Sequence, residues 1–176
     1  MKPVITHLTD IILIFIVVIS VYTDLKERKI YNLVVLPAML AGLIINTIFY
    51  GVDGLMFSLK GLGAGIGLLF IPFAMGGIGA GDVKLMGAIG SLTGTLFVAR
   101  AFLATGLIGG IISVVVLVKQ KRLLTTLKNL WFCIYIFIGT VFRVNTLKDL
   151  DNAEDNEAIP YGLAIGIGTF LAYLVR

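Results

Sequence analysis

The chain has one cysteine, Cys133, and one histidine, His7, in 176 residues. A lone thiol forms neither an internal disulfide nor a Cys-x-x-Cys metal pair, so thiol redox chemistry and zinc are excluded and no metal or cofactor is expected. Charge is also scarce, at 14% of residues against 59% hydrophobic, with a mean hydropathy of +1.05. A soluble core of this size cannot hide so many apolar side chains, and a polytopic membrane protein is expected. The formal net charge of +4 is no nucleic-acid footprint, because the basic residues follow membrane topology instead of forming one surface. A secretory signal is excluded too. Only Lys2 precedes the first apolar run, Lys26, Arg28 and Lys29 follow it, and no small-residue cleavage site comes after.

What is present in quantity is apolar sequence. Taking roughly twenty apolar residues per crossing, six spans are expected, at about 4 to 23, 31 to 50, 59 to 76, 83 to 99, 101 to 118 and 159 to 175. The expected fold is an all-α helical bundle in a single transmembrane domain over 1–176. Leu130 to Phe142 is apolar but too short to cross, and Trp131 and Tyr135 favour the headgroup level, so the stretch 123 to 144 is expected to be an interfacial helix between the fifth and sixth spans. Alternate loops then hold ten of the fourteen basic residues on one side, leaving Lys2, Lys60, Arg100 and Arg176 on the other. By the positive-inside rule both termini are expected outside. That topology also separates His7 from Cys133, which removes a cysteine protease, whose nucleophile and base must meet.

Twenty-one glycines suit close helix packing, and the pairs Gly61/Gly65, Gly63/Gly67, Gly90/Gly94, Gly106/Gly110 and Gly162/Gly166 have small-xxx-small spacing. The run from Asn145 to Glu157 holds half of the ten acidic residues and reads as a solvated connector, with an acidic lip that attracts a basic peptide as the rival reading.

Two carboxylates stand apart. Asp82 ends the glycine-rich turn Gly76-Gly77-Ile78-Gly79-Ala80-Gly81-Asp82, and Asp24, 58 positions earlier, ends the first apolar run. Both fall at the expected cytoplasmic face. An ionisable side chain near membrane depth costs roughly 2.5 to 3.5 kcal/mol, so each is a functional candidate in search of a partner. The uncharged stretch from Ile11 to Thr23 is 13 residues, about 20 Å of helix against roughly 30 Å of hydrocarbon, which draws Asp24 inward and leaves Asp10 at the outer interface. Two neighbouring acids cannot both ionise, so one keeps its proton. One anion to take a proton from water and one acid to polarise a carbonyl is the equipment for peptide hydrolysis.

Nearby residues have supporting roles. Gly79 and Gly81 let the backbone turn at the membrane edge and let a substrate strand approach the main chain. Arg28 is placed to pair with Asp24 or to serve as a cytoplasmic cation. If the first helix continues past the membrane, Asp24, Arg28 and Asn32 share one face. Asn32 is expected to start the second helix and Pro160 the last one; Lys84 is placed to tune the carboxylates or meet an acidic group on a substrate, or, since it points about 200° away from Asp82 on an ideal helix, to serve as a topogenic anchor.

Three pieces, Asp24-x-x-x-Arg28-x-Ile30-Tyr31-Asn32, Gly79-Ala80-Gly81-Asp82-Val83-Lys84-Leu85 and Ile159-Pro160-Tyr161-Gly162, resemble the type IV prepilin peptidases, in particular the short form associated with Flp (Tad-type) pili. The resemblance implies a six-helix GxGD aspartyl protease of the bacterial inner membrane. Such an enzyme removes the basic leader of a prepilin at the cytoplasmic face, with Asp24 and Asp82 as its catalytic pair. Tyr31 departs from the proline usual before Asn32. The zinc-bearing domain of long relatives is absent, so N-methylation of the product is not expected. A protease of the presenilin sort would carry a Pro-Ala-Leu element near its last helices, which this chain lacks. The rival from another class is a small carrier or channel that binds a proton or cation at the two acids.

Overall fold

The computed structural model of the chain describes residues 2–119 and 161–175. All described elements are helices: α1 (Lys2–Glu27), α2 (Asn32–Ala74), α3 (Ala80–Thr93), α4 (Thr95–Lys119) and α5 (Tyr161–Leu174). Residues 1–109 with 160–176 form one compact unit, and 110–159 form a second of which the end of α4 is described. The expected interfacial stretch 123 to 144, the acidic run 145 to 157, Cys133 and Pro160 lie outside the described residues.

Among the described residues three helices are long and apolar enough to cross a bilayer, His7–Glu27, Asn32–Ala74 and Thr95–Val116, and Tyr161–Leu174 is a shorter apolar helix. Large apolar side chains cover their outer faces, among them Phe15, Val18, Leu33, Leu96 and Phe170, each more than half exposed. Such a surface suits hydrocarbon and marks a membrane protein.

α1 turns Leu13, Ile16, Ser20 and Asp24 inward, a stripe spaced three to four residues apart. The helix runs one turn beyond the expected edge at Thr23 and then stops. Arg28 has φ of 53°, in the left-handed region, and its N–H donates to the Asp24 carbonyl at 2.9 Å. This αL closure ends the helix, so the continuous face expected for Asp24, Arg28 and Asn32 does not form.

α2 covers what the sequence divides into two spans. In a straight helix residues 42 and 58 would lie about 24 Å apart, yet the Ser58 hydroxyl donates to the Gly42 carbonyl at 3.1 Å. The chain therefore doubles back at Gly51, whose φ of 63° and ψ of −139° a residue with a side chain rarely adopts. The result is a hairpin of two arms, 32–50 and 52–74. The Asn46 amide ties it shut, donating to Gly42 O at 3.0 Å, Ser58 Oγ at 2.8 Å and Ser91 O at 3.3 Å.

α3 is the helix around which the others assemble, with Leu85, Met86, Ala88 and Ile89 fully buried. It is apolar on nearly every side, as a helix enclosed by others must be. Glycines set its distance from the hairpin: a Cβ on Gly61 would fall 1.9 Å from Gly90 O, and one on Gly65 2.3 Å from Met86 O. The span expected over 83 to 99 is cut short, because Gly94 adopts φ of 82° and α4 starts afresh at Thr95. α5 packs along α1, with Gly162 against Asp24, Gly166 against Val21 and Tyr173 against Asp10, so the two run antiparallel.

Candidate functional site

The site grows from three helix ends. Asp24 lies in the last turn of α1, Asp82 in the first turn of α3, and Gly162 in the first turn of α5. Asp24 is 7% exposed and Asp82 8%, so both carboxyls are held inside the protein. The Gly162 N–H donates to Asp24 Oδ2 at 2.8 Å, and the Leu163 N–H is also directed at this carboxyl. The N-terminal N–H groups of a helix are orphan donors at the positive end of its dipole, which makes the start of α5 a seat for a carboxylate.

Asp82 is held differently. The Gly79 N–H donates to its Oδ2 at 3.2 Å, a carboxylate in the first helical turn reaching back to the residue that caps the helix. Its Oδ1 is buried with no hydrogen-bond partner among the described residues. Asp82 precedes the apolar run of α3 and lies outside the candidate spans. Burial pushes its pKa up from 3.8 to about 6; the negative charge of Asp24 adds to the rise, and the Gly79 N–H offsets part of it. The two acids, distant in sequence, thus lie within electrostatic reach of each other.

Two ties bring the end of α1 and the start of α3 to one level. Gly81 carries no side chain where the α1–α2 corner presses in, since a Cβ there would lie 2.9 Å from Ile30 Cβ. Its close approach is thus to the protein's own chain. One turn on, Lys84 Nζ donates to Asn32 Oδ1 at 2.9 Å. Asn32 begins α2 as expected, though the residue at the cap is Tyr31 and it makes no side-chain cap bond. The Tyr31 hydroxyl donates instead to the Glu27 carboxylate, closing the corner in which Arg28 is the left-handed residue.

Of the residues singled out in the sequence, Asp24, Asp82, Gly79 and Gly81 gather at this end of the bundle, and Lys84 and Asn32 pair on its exposed rim. Arg28 contributes backbone geometry. The sequence presents Gly162 as a packing glycine and as part of the opening of the last helix, and it does not single out Ser20, which is fully buried one turn before Asp24. The signal for Gly162 was its place immediately after Pro160-Tyr161, where the free N–H groups of a new helix must find an acceptor.

No curated protein and no solved structure matches the chain. The sequence profile of the type IV leader peptidase family matches residues 11–114, a stretch that includes both Asp24 and Asp82. That match covers more than half of the 176 residues, and the chain therefore belongs to the type IV leader peptidase family.

Proposed function

We propose that the chain is an aspartic endopeptidase that uses Asp24 and Asp82 to remove the short basic leader of a Flp-like type IV prepilin. In this reading the two arms of α2 are separate crossings, and with α1, the apolar run of α3 that follows Asp82, α4 and α5 they make the six spans. Cleavage takes place at the cytoplasmic face of the inner membrane, just before the substrate's hydrophobic segment.

The observation that carries the reading is the unequal setting of two adjacent buried acids. Asp24 receives main-chain N–H groups from α5, while Asp82 keeps one oxygen free of any described partner and has its pKa pushed up to about 6. One proton shared by the pair then belongs on Asp82. The Asp24 carboxylate takes a proton from water as the water oxygen bonds to the scissile carbonyl carbon, and the Asp82 acid protonates the carbonyl oxygen. Collapse of the resulting diol breaks the C–N bond: Asp24 returns its proton to the leaving nitrogen, and Asp82 recovers one from a diol hydroxyl. The pair titrates as a unit, so its pH dependence belongs to both members.

The test is cleavage of a purified prepilin in detergent by the wild type and by Asp24→Asn and Asp82→Asn. Each substitution removes one half of the proton cycle, and a fall of at least about a thousandfold is expected for each. Full cleavage by either variant refutes the pair. Ion-dependent flux through liposomes with no cleavage product would instead mark a carrier.

A further inference from the structure

Hydroxyl groups inside this bundle follow one habit. Thr47, Thr93, Thr105 and Thr169 each donate to the carbonyl four residues back, at 2.6 to 2.7 Å, and Ser58 and Ser91 donate to the carbonyls of Gly42 and Ala88. A helix gives a buried serine or threonine this outlet at no cost in position. Ser20 departs from the habit. It is 1% exposed, and its Oγ has no partner among the described residues. Asp82 Oδ1 is the other buried side-chain oxygen in that condition. Unsatisfied polar groups in an apolar interior need an explanation, and two of them in one neighbourhood point to one answer.

They share a neighbourhood because of α1. Ser20 and Asp24 are four residues apart on its buried stripe, which puts their Cβ atoms about 6 Å apart on one face. α1 packs against α3, and the first turn of α3 carries Asp82. A water seated there would have three oxygens to bond, the number of bonds a buried water typically makes.

We propose that Ser20, Asp24 and Asp82 hold one ordered water, and that Ser20 is the positioning residue that orients it for attack. The Ser20 hydroxyl donates to the water oxygen, and the water donates to the Asp24 carboxylate and to Asp82 Oδ1. One lone pair of the water is left for the scissile carbonyl. The water site rests on the burial, spacing and unpaired oxygens of these side chains, and its catalytic consequence rests on the peptidase reading above.

Infrared difference spectroscopy on the full chain in detergent gives a readout that needs no activity. The carboxylic-acid C=O band that disappears in Asp82→Asn should move to higher wavenumber in Ser20→Ala, because the acid loses the partner that Ser20 holds in place. In prepilin cleavage, Ser20→Ala should lower kcat about tenfold, the worth of one hydrogen bond, with KM changed less than about twofold. Ser20→Cys fills nearly the same volume with a poor donor, so its kcat should stay low, with thermal unfolding of both variants close to wild type. An unmoved band, a wild-type kcat in Ser20→Ala, or full recovery in Ser20→Cys would each overturn the inference. If the wild type cleaves no prepilin but the band moves, the peptidase reading fails and the water site stands. If it cleaves and the band is still, the reverse holds.

Discussion

Gly162 and Asp24 are 138 residues apart in the chain, and the N–H of the first donates to Oδ2 of the second at 2.8 Å. The contact is possible only because residue 162 has no side chain. A Cβ there would lie 2.7 Å from that same oxygen and 2.9 Å from Asp24 Cβ. The first turn of α5 thus serves as the clamp on one member of the acid pair.

Gly162→Ala should therefore displace Asp24 or push the start of α5 outward. Overpacking of this kind costs about 1 to 3 kcal/mol, which thermal unfolding in detergent can measure. The effect on cleavage should be larger than the stability loss implies. A carboxylate moved by about an ångström loses the near-attack geometry, at a cost of roughly a hundredfold in kcat. Gly109→Ala is the control: its Cβ would meet Tyr161 and Ala164 at 3.5 and 3.7 Å, ordinary contact distances, and both stability and cleavage should change little.

Burial of Asp82 should be visible as a pH-dependent stability cost. In the folded protein this carboxyl holds its proton up to about pH 6, against an ordinary value of 3.8. Folding therefore binds a proton between those limits. The native state is favoured while Asp82 is protonated, and this advantage is lost as the pH rises through about 6. The gap corresponds to about 3 kcal/mol at most. Asp82→Asn keeps an acceptor for the Gly79 N–H and removes the charge, so its unfolding midpoint should exceed that of wild type at pH 7.5 and converge with it near pH 4. A difference independent of pH would mean that the carboxyl pays no burial penalty.

Catalysis should follow the same titration. The proposed cycle needs the proton on Asp82, so kcat/KM for a prepilin should fall as the pH rises through an apparent pKa close to 6 in the free enzyme. The limb belongs to the coupled pair, so its apparent pKa is a property of both acids. A profile flat from pH 5 to pH 8 would remove the shared proton from the mechanism.

The glycine pairs show how much of this architecture sequence can reveal. Spacing alone makes Gly61/Gly65 and Gly63/Gly67 equivalent, since both are small residues four apart on one helix. In the structure Gly61 and Gly65 face the α3 backbone, whereas a Cβ on Gly63 or Gly67 would meet nothing within 4 Å. Which face of α2 turns toward α3 depends on the hairpin at Gly51, a positive-φ turn hidden in an apolar run that reads as two plain spans. Asp24 and Asp82 were legible because charge amid apolar sequence is conspicuous. The partner of Asp24 was harder to read, because a main-chain N–H on α5 shows in the sequence only as the place where a helix begins. The early stop of α3 was missed for a related reason: Gly94 looks like any other packing glycine until its φ is known.

That distinction is measurable. Gly61→Ala and Gly65→Ala drive a methyl group into carbonyl oxygens that cannot move without bending α3, and each should destabilise the protein by more than about 2 kcal/mol. Gly63→Ala and Gly67→Ala should be neutral or should stabilise by about 0.5 to 1 kcal/mol, since alanine is the better helix former. Equal effects at all four positions would contradict the packing of α2 on α3.

The polar knot at Asn46 is the place to separate fold from function. Its amide joins both arms of α2 to α3, yet it lies 14 residues into the helix from Asn32, about 21 Å along the arm from the corner beside the acids. Asn46→Ala removes the donor and leaves a small cavity, and the loss should be about 1 to 3 kcal/mol in unfolding experiments. Ser58→Ala removes a member of the same network, so the double variant should lose less than the sum of the two single losses. Because the knot touches neither carboxyl, kcat/KM measured well below the unfolding midpoint should stay within about twofold of wild type. A large loss of cleavage in a variant that is still folded would mean that the hairpin transmits its register to the start of α3, and that the site depends on the far end of the bundle as well as on the corner that encloses it.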